Sequence, residues 1–160
     1  MTEELLAGKN VIVQGITGAH GTFHASAMKA AGTNIVGGTS PNKAGELIDG
    51  VPVYASVKDI QEKVRVDISV IFVPARFAKG AILEAIAAKI PLIVCITEGI
   101  PIHDMLHISQ QLEKGSSKLI GPNCPGILLP GGNKLGIIPA HLATPGTAAI
   151  VSRSGTLTYE

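Results

Sequence analysis

The sequence has little of two things on which many binding proteins depend: aromatic side chains and an excess of charge of one sign. It contains no Trp, two Tyr and three Phe among 160 residues, so it lacks the stacking surfaces that hold single-stranded nucleic acid. Its formal net charge is +1, which gives no electrostatic attraction to nucleic acid or to an anionic membrane surface. We therefore expect neither as a partner.

Two further absences concern the compartment. Cys95 and Cys124 are the only cysteines, too few for a disulfide framework and typical of a reducing environment. The longest apolar runs lie near residues 90–96, whereas a helix needs about 20 apolar residues to span a bilayer. Residues 1–4 include two acids where a signal or transit peptide carries bases. These features predict a cytoplasmic protein that neither crosses nor binds a membrane.

Apolar residues are abundant at 46%, against 16% charged residues, and the length suits about one domain. Short β-branched runs alternate with helix-compatible stretches, and the links between them are short. This alternation predicts an α/β fold with a doubly wound parallel sheet. Strands are predicted at residues 10–13, 34–36, 51–54, 67–73, 92–96 and 118–120. Helices are predicted at residues 20–31, 57–64, 78–89 and 102–114.

The pattern changes after residue 121. Residues 122–146 are rich in Pro and Gly and contain no helix-like stretch, which is typical of a connector that crosses the surface. Residues 148–151 then predict a strand, followed by a helix start that Ser154 could cap. We expect a first domain at 1–121, a connector at 122–146 and the beginning of a second α/β domain at 147–160.

Three loops that follow predicted strands carry the candidate chemistry. They read Q-G-I-T-G-A-H-G-T-F-H at residues 14–24, T-E-G-I-P at 97–101 and G-P-N-C-P-G at 121–126. Open α/β sheets bind ligands beyond the carboxyl ends of their strands, where helix N-termini favour phosphate. The glycines of the first loop follow G-x-x-G-x-x-G, which differs from the G-x-G-x-x-G of dinucleotide sites.

The segment after the second predicted strand distinguishes between the candidate nucleotide ligands. An NAD site has an acid about 20 residues beyond its glycines. Residues 36–43 contain no acid and one base, Lys43. A cation there suits an extra ribose phosphate, as in coenzyme A or NADP, although a surface lysine without a role fits equally well. An NAD(P)-binding domain of a dehydrogenase therefore stays open as an alternative.

Together these loops resemble the coenzyme A-binding half of the succinyl-CoA synthetase (succinate–CoA ligase) α subunits, and the resemblance runs over essentially the whole chain. It implies a Rossmann-like fold and a coenzyme A site. The residues expected at that site are Gly15, Thr17, Gly18, Ala19, His20, Lys43, Phe72, Val73, Pro74, Ile96, Thr97, Glu98 and Asn123. The resemblance also implies that Ser154 and Tyr159 bind the carboxylate substrate.

The resemblance further implies an acid–thiol ligase of the tricarboxylic acid cycle, ADP- or GDP-forming, that joins succinate to coenzyme A through a phosphohistidine. Its partner is a nucleotide-binding β subunit. The phosphorylated histidine of the family lies in a second domain, so we expect no catalytic residue here and no turnover by this chain alone. His103 and His107 lack a third ligand, so no metal site is expected. The alternative is a stand-alone coenzyme A-binding module without catalysis.

Overall fold

Strands and helices alternate along the part of the chain that the structure, a computed structural model, describes: residues 6–130, 133–152 and 154–155. The strands are β1 (Val11–Gln14), β2 (Ile35–Thr39), β3 (Leu47–Ile48), β4 (Val51–Tyr54), β5 (Ile68–Ile71), β6 (Leu92–Cys95), β7 (Lys118–Ile120), β8 (Gly126–Leu128) and β9 (Lys134–Gly136). The helices are α1 (Ala19–Ala30), α2 (Val57–Gln61), α3 (Ala75–Ala87) and α4 (Ile102–Lys114).

One seven-stranded sheet has the order β3-β4-β2-β1-β5-β6-β7, and only the edge strand β3 pairs in the antiparallel direction. The predicted α/β fold with a parallel, doubly wound sheet is therefore confirmed. No helix among the described residues is long and apolar enough to cross a membrane.

Both faces of the sheet are buried, because successive side chains of a strand point to opposite sides. Val11 and Val13 of β1 pack with Met28 of α1 on the first face. Ile12, between them, packs with Ile82 of α3 on the second face, which α2 and α4 also cover. A strand that is buried on both faces needs an unbroken apolar run, and this is why β1, β5 and β6 were recognisable in the sequence.

The predicted second strand was wrong at its carboxyl end. It was expected to stop at Gly37, but β2 continues through Gly38 to Thr39. A Cβ atom at Gly38 would lie 2.5 Å from the Ile16 side chain. Glycine here permits a close approach between the strand and the loop after β1, and it does not break the strand.

The sequence predicted too late a start for α3 and too late an end for the strand before it. The strand β5 ends at Ile71, and α3 starts at Ala75 rather than at residue 78. Pro74 occupies the N-cap position with φ −56°, which suits the entry to a helix. The predicted α2 was three residues too long, since it ends at Gln61.

A hairpin of β8 and β9 lies within residues 122–146, where the sequence predicted only an irregular connector. Leu135 of β9 is fully buried and belongs to the first-face core with Met28 of α1. Gly136 N–H lies 3.1 Å from Met28 Sδ, and the Thr33 hydroxyl donates to Lys134 O at 2.6 Å. The hairpin and α1 thus together cover the first face of the sheet.

The strand predicted at residues 148–151 is absent from the structure. Ile150 and Val151 are 86% and 99% exposed, and no other described strand pairs with them. An extended segment without a neighbour leaves its backbone N–H and C=O groups to water, so it does not form a ladder. Tyr159 and the predicted helix after Ser154 lie outside the described residues.

Candidate functional site

The candidate site lies beside β1, where successive strands of the chain are added on opposite sides. The chain passes from β1 to β2 on one side of β1, whereas β5 lies on its other side. Such a reversal leaves a crevice beyond the carboxyl ends of the two central strands, because the loops that follow them turn away from one another. The loops after β1 and β5 border this crevice.

Backbone hydrogen bonds hold the loops beside one another. Gly15 N–H donates to Thr39 O at 3.0 Å, which joins the loop after β1 to the end of β2. On the other side, Phe72 N–H donates to Gln14 O at 2.9 Å. The first glycine loop is therefore fixed on both flanks before any ligand is present.

The loop after β1 presents an open helix N-terminus. Gly15 has φ +84°, a conformation that favours glycine. Gly18 occupies the N-cap of α1 without a side chain to cap it, and the first turn of α1 contains no acid. The first-turn N–H groups of a 12-residue helix are thus available to an anion, whose charge the helix dipole also favours.

Two glycines keep this loop close to its neighbours. A Cβ atom at Gly21 would lie 2.9 Å from the carbonyl carbon of Gly15 and closer still to its oxygen. A Cβ atom at Gly15 would lie 3.0 Å from Val73 Cγ1. The first loop can therefore follow the start of α1 closely only because both positions lack a side chain.

Hydroxyl groups and one cation border the site on the β2 side. The Thr17 hydroxyl donates to Ser40 Oγ at 2.9 Å. Lys43 ends a short 3-10 turn (Pro41–Lys43), and its side chain is exposed. Among the described residues, Lys43 has no ion-pair partner within 4.0 Å. Its ammonium group is therefore free to bind a phosphate.

A stacked pair of rings supports the β5 side of the site. The Phe72 and His24 rings are nearly parallel, at 8°, with centroids 5.5 Å apart. Burial lowers the pKa of His24 below its ordinary value, and the charges of Lys134 and His20 lower it further. Sequence reasoning assigned His24 no role; its spacing of four from His20, on one face of α1, was the signal for it.

The loops after β6 and β7 complete the edge. The Thr97 hydroxyl donates to Val73 O at 2.7 Å, and Asn123 N–H donates to Thr97 O at 2.9 Å. Glu98 and Asn123 are exposed at this edge, and Ile96 and Thr97 are half-buried. Asn123 has φ +52°, which Asn tolerates better than most residues.

The two cysteines near this edge are not activated. Cys124 Sγ lies 3.4 Å from Cys95 O, to which its thiol donates. Burial raises the pKa of Cys95 to about 11 and also raises the pKa of Cys124. Both therefore remain thiols at neutral pH, and a thiol is a weaker nucleophile than a thiolate.

All thirteen residues predicted to bind a coenzyme belong to segments that follow the carboxyl ends of strands in the sheet. The loop after β1 and the start of α1 contribute Gly15, Thr17, Gly18, Ala19 and His20. The segments after β2, β5, β6 and β7 contribute Lys43, Phe72, Val73, Pro74, Ile96, Thr97, Glu98 and Asn123. The predicted substrate residue Ser154 lies apart from these loops in sequence, and its backbone N–H bonds to Ser152 Oγ at 3.0 Å.

The site fits a diphosphate with an additional phosphate better than it fits a metal. The uncapped N–H groups of α1 suit phosphate oxygens, and so does Lys43, which has no ion-pair partner among the described residues. No group of three His, Cys, Asp or Glu side chains within the described ranges could hold a metal ion.

Comparison with known proteins identifies relatives of this chain. The family model described as "CoA binding domain" matches residues 7–99. The α subunit of the ADP-forming succinate–CoA ligase of Aquifex aeolicus is 51% identical over 152 residues, which are 94% of this chain and 50% of that protein. The α subunit 2 of the same ligase from Archaeoglobus fulgidus is 53% identical over 150 residues, 94% of this chain and 52% of that protein. The chain thus spans about half the length of these curated relatives.

Solved structures share the fold. PH0766 from Pyrococcus horikoshii OT3 matches with a TM-score of 0.79 at 26% identity, over 98% of this chain and 37% of that one. ATP citrate lyase from Methanothrix soehngenii, solved with citrate and coenzyme A, matches with a TM-score of 0.65 at 20% identity, over 82% of this chain and 23% of that one. The second likeness concerns the fold alone.

Proposed function

This chain belongs to the CoA binding domain family, and on that basis we propose that it is the coenzyme A-binding half of a succinate–CoA ligase α subunit. Coenzyme A is its ligand. The observation that carries the assignment of the site is the open N-terminus of α1, which two glycines allow to pack closely against the loop after β1. The thirteen predicted residues are proposed to contact the coenzyme.

Each part of coenzyme A has a chemical counterpart at this edge. The diphosphate suits the uncapped N–H groups after Gly18, because a helix N-terminus favours anions. The ribose 3′-phosphate suits Lys43, which has no ion-pair partner among the described residues. The pantetheine arm, which is partly apolar, suits the half-buried side chains of Phe72, Val73 and Ile96.

The activity proposed for the whole protein is an acid–thiol ligation. Succinate and coenzyme A form a thioester while a nucleoside triphosphate is split into a diphosphate and inorganic phosphate. The proposed partner is a β subunit, since the relatives are named as α subunits. We place no catalytic residue in this chain.

Residues 147–160 are proposed to begin a second α/β domain, with Ser154 and Tyr159 directed to the substrate. The length of the relatives supports this, and so does the exposure of Ile150 and Val151, two apolar residues that a further strand or helix could cover. Residues 1–121 remain the proposed coenzyme-binding domain.

Calorimetry with coenzyme A and dephospho-coenzyme A tests the assignment through Lys43→Ala. A charge-assisted bond to phosphate contributes about 1.5–3 kcal/mol, and less at an exposed position. We therefore expect coenzyme A binding to weaken by up to about tenfold, which corresponds to about 1.4 kcal/mol. Binding of dephospho-coenzyme A should change little.

Lys118→Ala is the matched control, because Lys118 is also exposed but starts β7 at the amino end of the sheet. It should leave both affinities unchanged. Equal losses for the two ligands in Lys43→Ala would show that Lys43 does not bind the ribose phosphate. Tighter binding of NADP than of coenzyme A by the unaltered chain would overturn the proposed function itself.

A further inference from the structure

A line of polar side chains, buried at Gln14 and Ser69 and half-buried at Glu84, runs beneath the glycine loop. Gln14, the last residue of β1, is 1% exposed although its side chain is polar. The Ser69 hydroxyl donates to Gln14 Oε1 at 2.8 Å, and Gln14 Nε2 donates to Glu84 Oε2 at 3.0 Å. The other carboxylate oxygen, Glu84 Oε1, accepts from Val57 N–H at 2.8 Å. These four residues thus join β5, β1, α3 and the first residue of α2.

A second set of contacts joins the glycine loop, the turn after β2 and the end of β4. The Thr17 hydroxyl of the glycine loop donates to Ser40 Oγ at 2.9 Å, and Ser40 N–H donates to Tyr54 O at 3.0 Å. Tyr54 ends β4, and only two residues separate it from Val57. The contacts therefore close a ring that leaves the glycine loop at Thr17 and returns to it at Gln14.

We propose that Gln14 and Glu84 are positioning residues for coenzyme binding, which fix the glycine loop from below through this ring of hydrogen bonds. The proposal rests on the proposed function, since it assumes that the loop binds the coenzyme diphosphate. Neither side chain reaches the ligand. Their effect is to hold the loop and the turn at Ser40 at a constant separation, so that binding does not have to order them.

The ring requires hydrogen-bonding atoms at position 84. The Glu84 carboxylate accepts from both Gln14 Nε2 and Val57 N–H, whereas a leucine side chain accepts from neither. The Glu84→Leu substitution therefore breaks the ring on both sides of position 84. It also removes a negative charge from the protein, and this alone would strengthen the binding of an anionic ligand.

Calorimetry with coenzyme A should show that Glu84→Leu weakens binding by about tenfold. Since the change in charge acts in the opposite direction, weaker binding supports the ring. Unchanged or tighter binding overturns it. The control is Gln61→Ala, which removes another bond between α2 and α3, from Gln61 Nε2 to Ala88 O at 2.9 Å, outside the ring. It should lower the melting temperature and leave the affinity unchanged; equal losses of affinity in the two variants would refute a specific role for the ring.

Hydrogen exchange in the ligand-free chain tests the ring without reference to coenzyme A. Glu84→Leu should speed the exchange of the Gly15 and Gly18 amides, which donate to Thr39 O and Gly15 O. Glu84→Gln can keep the ring, because its amide oxygen accepts from Val57 N–H while its amide N–H group donates to Gln14 Oε1 once the Gln14 amide is reversed. Glu84→Gln should therefore keep slow exchange. If Glu84→Gln exchanges as fast as Glu84→Leu, the ring is refuted.

Ser40→Ala provides a milder variant in case Glu84→Leu does not fold. It removes only the hydroxyl that accepts from Thr17, so it breaks the ring and alters no charge. Coenzyme A binding weakened by about threefold would support the proposal, and unchanged binding would overturn it. Absence of coenzyme A binding by the unaltered chain would instead refute the proposed function, and the exchange measurement would still decide whether the ring orders the loop.

Discussion

Gly21→Ala should both destabilise the fold and disable the coenzyme loop. The added Cβ atom would lie 2.9 Å from the carbonyl carbon of Gly15 and 3.0 Å from Cα of Ile16, whereas ordinary contacts begin at 3.4 Å. The Gly15 carbonyl carbon must therefore move by about 0.5 Å, the difference between the first and the last of these distances, and the Gly15 oxygen, which lies closer still, must move further. The same Gly15 carbonyl accepts the Gly18 N–H at 3.1 Å, so the movement disturbs the loop directly.

The magnitude follows from two opposing effects. Overpacking of a close contact costs about 1–3 kcal/mol. Replacing a helical glycine by alanine stabilises by about 0.5–1 kcal/mol. Because the atoms that the Cβ meets belong to the backbone, the upper end of the cost applies, and we expect a net loss of roughly 2–2.5 kcal/mol, or a fall in melting temperature of roughly 4–10 °C for a chain of this size. Coenzyme A affinity should fall by at least about tenfold, since the displaced backbone borders the diphosphate.

Gly80→Ala is the matched control, because Gly80 lies inside α3 and a Cβ atom there would meet nothing within 4 Å. Only the helix-propensity effect applies, so stability should rise by about 0.5–1 kcal/mol and coenzyme affinity should stay unchanged. Thermal melts and calorimetry on both variants give the comparison. If Gly21→Ala melts as high as Gly80→Ala, or binds coenzyme A as the unaltered chain does, the packing argument is wrong.

Two further predictions concern the core and pH. Leu135→Ala should lower the free energy of unfolding in urea by about 2–5 kcal/mol, whereas the 68% exposed Leu47 should tolerate alanine within about 0.5 kcal/mol; equal values would place the hairpin outside the core. Because the folded pKa of His24 lies below its ordinary 6.5, the unfolded chain binds more protons, and stability should fall as pH drops through 6.5 toward the folded pKa. His24→Phe keeps a ring on Phe72 and should flatten that fall; an unchanged pH profile would exclude His24 as its source.

The sequence predicted the elements whose signals are local. The helix Ile102–Lys114 and the strand Lys118–Ile120 were predicted to the residue, and β1, β5 and β6 were recognisable as apolar runs. The predicted β2 was too short, because a sequence does not distinguish a glycine that permits close packing from a glycine that breaks a strand. Only the position of Ile16 against Gly38 distinguishes the two cases.

The hairpin could not be predicted, because its strands have three residues each and owe their stability to distant partners. Thr33 and Lys134 are 101 residues apart in sequence, and no periodic pattern near either residue reports their contact. The thirteen residues of the candidate site follow the carboxyl ends of parallel strands, which converge at one edge, and their role in binding stays a prediction. The support beneath it, Gln14 and Glu84, was missed, since a single polar residue at the end of a strand has no distinctive pattern.

The hairpin also determines when this domain can be completed during synthesis. The contact between Met28 of α1 and Gly136 cannot form until Gly136, 108 residues later in the chain, has been made. At about 5–20 residues per second, a ribosome needs roughly 5–20 seconds to reach it. Throughout that interval, one face of the nascent sheet stays open to water beside the helix that carries the coenzyme loop. The helix α1 is thus among the last of the described elements to obtain its full packing, which is complete only after β9 has been made.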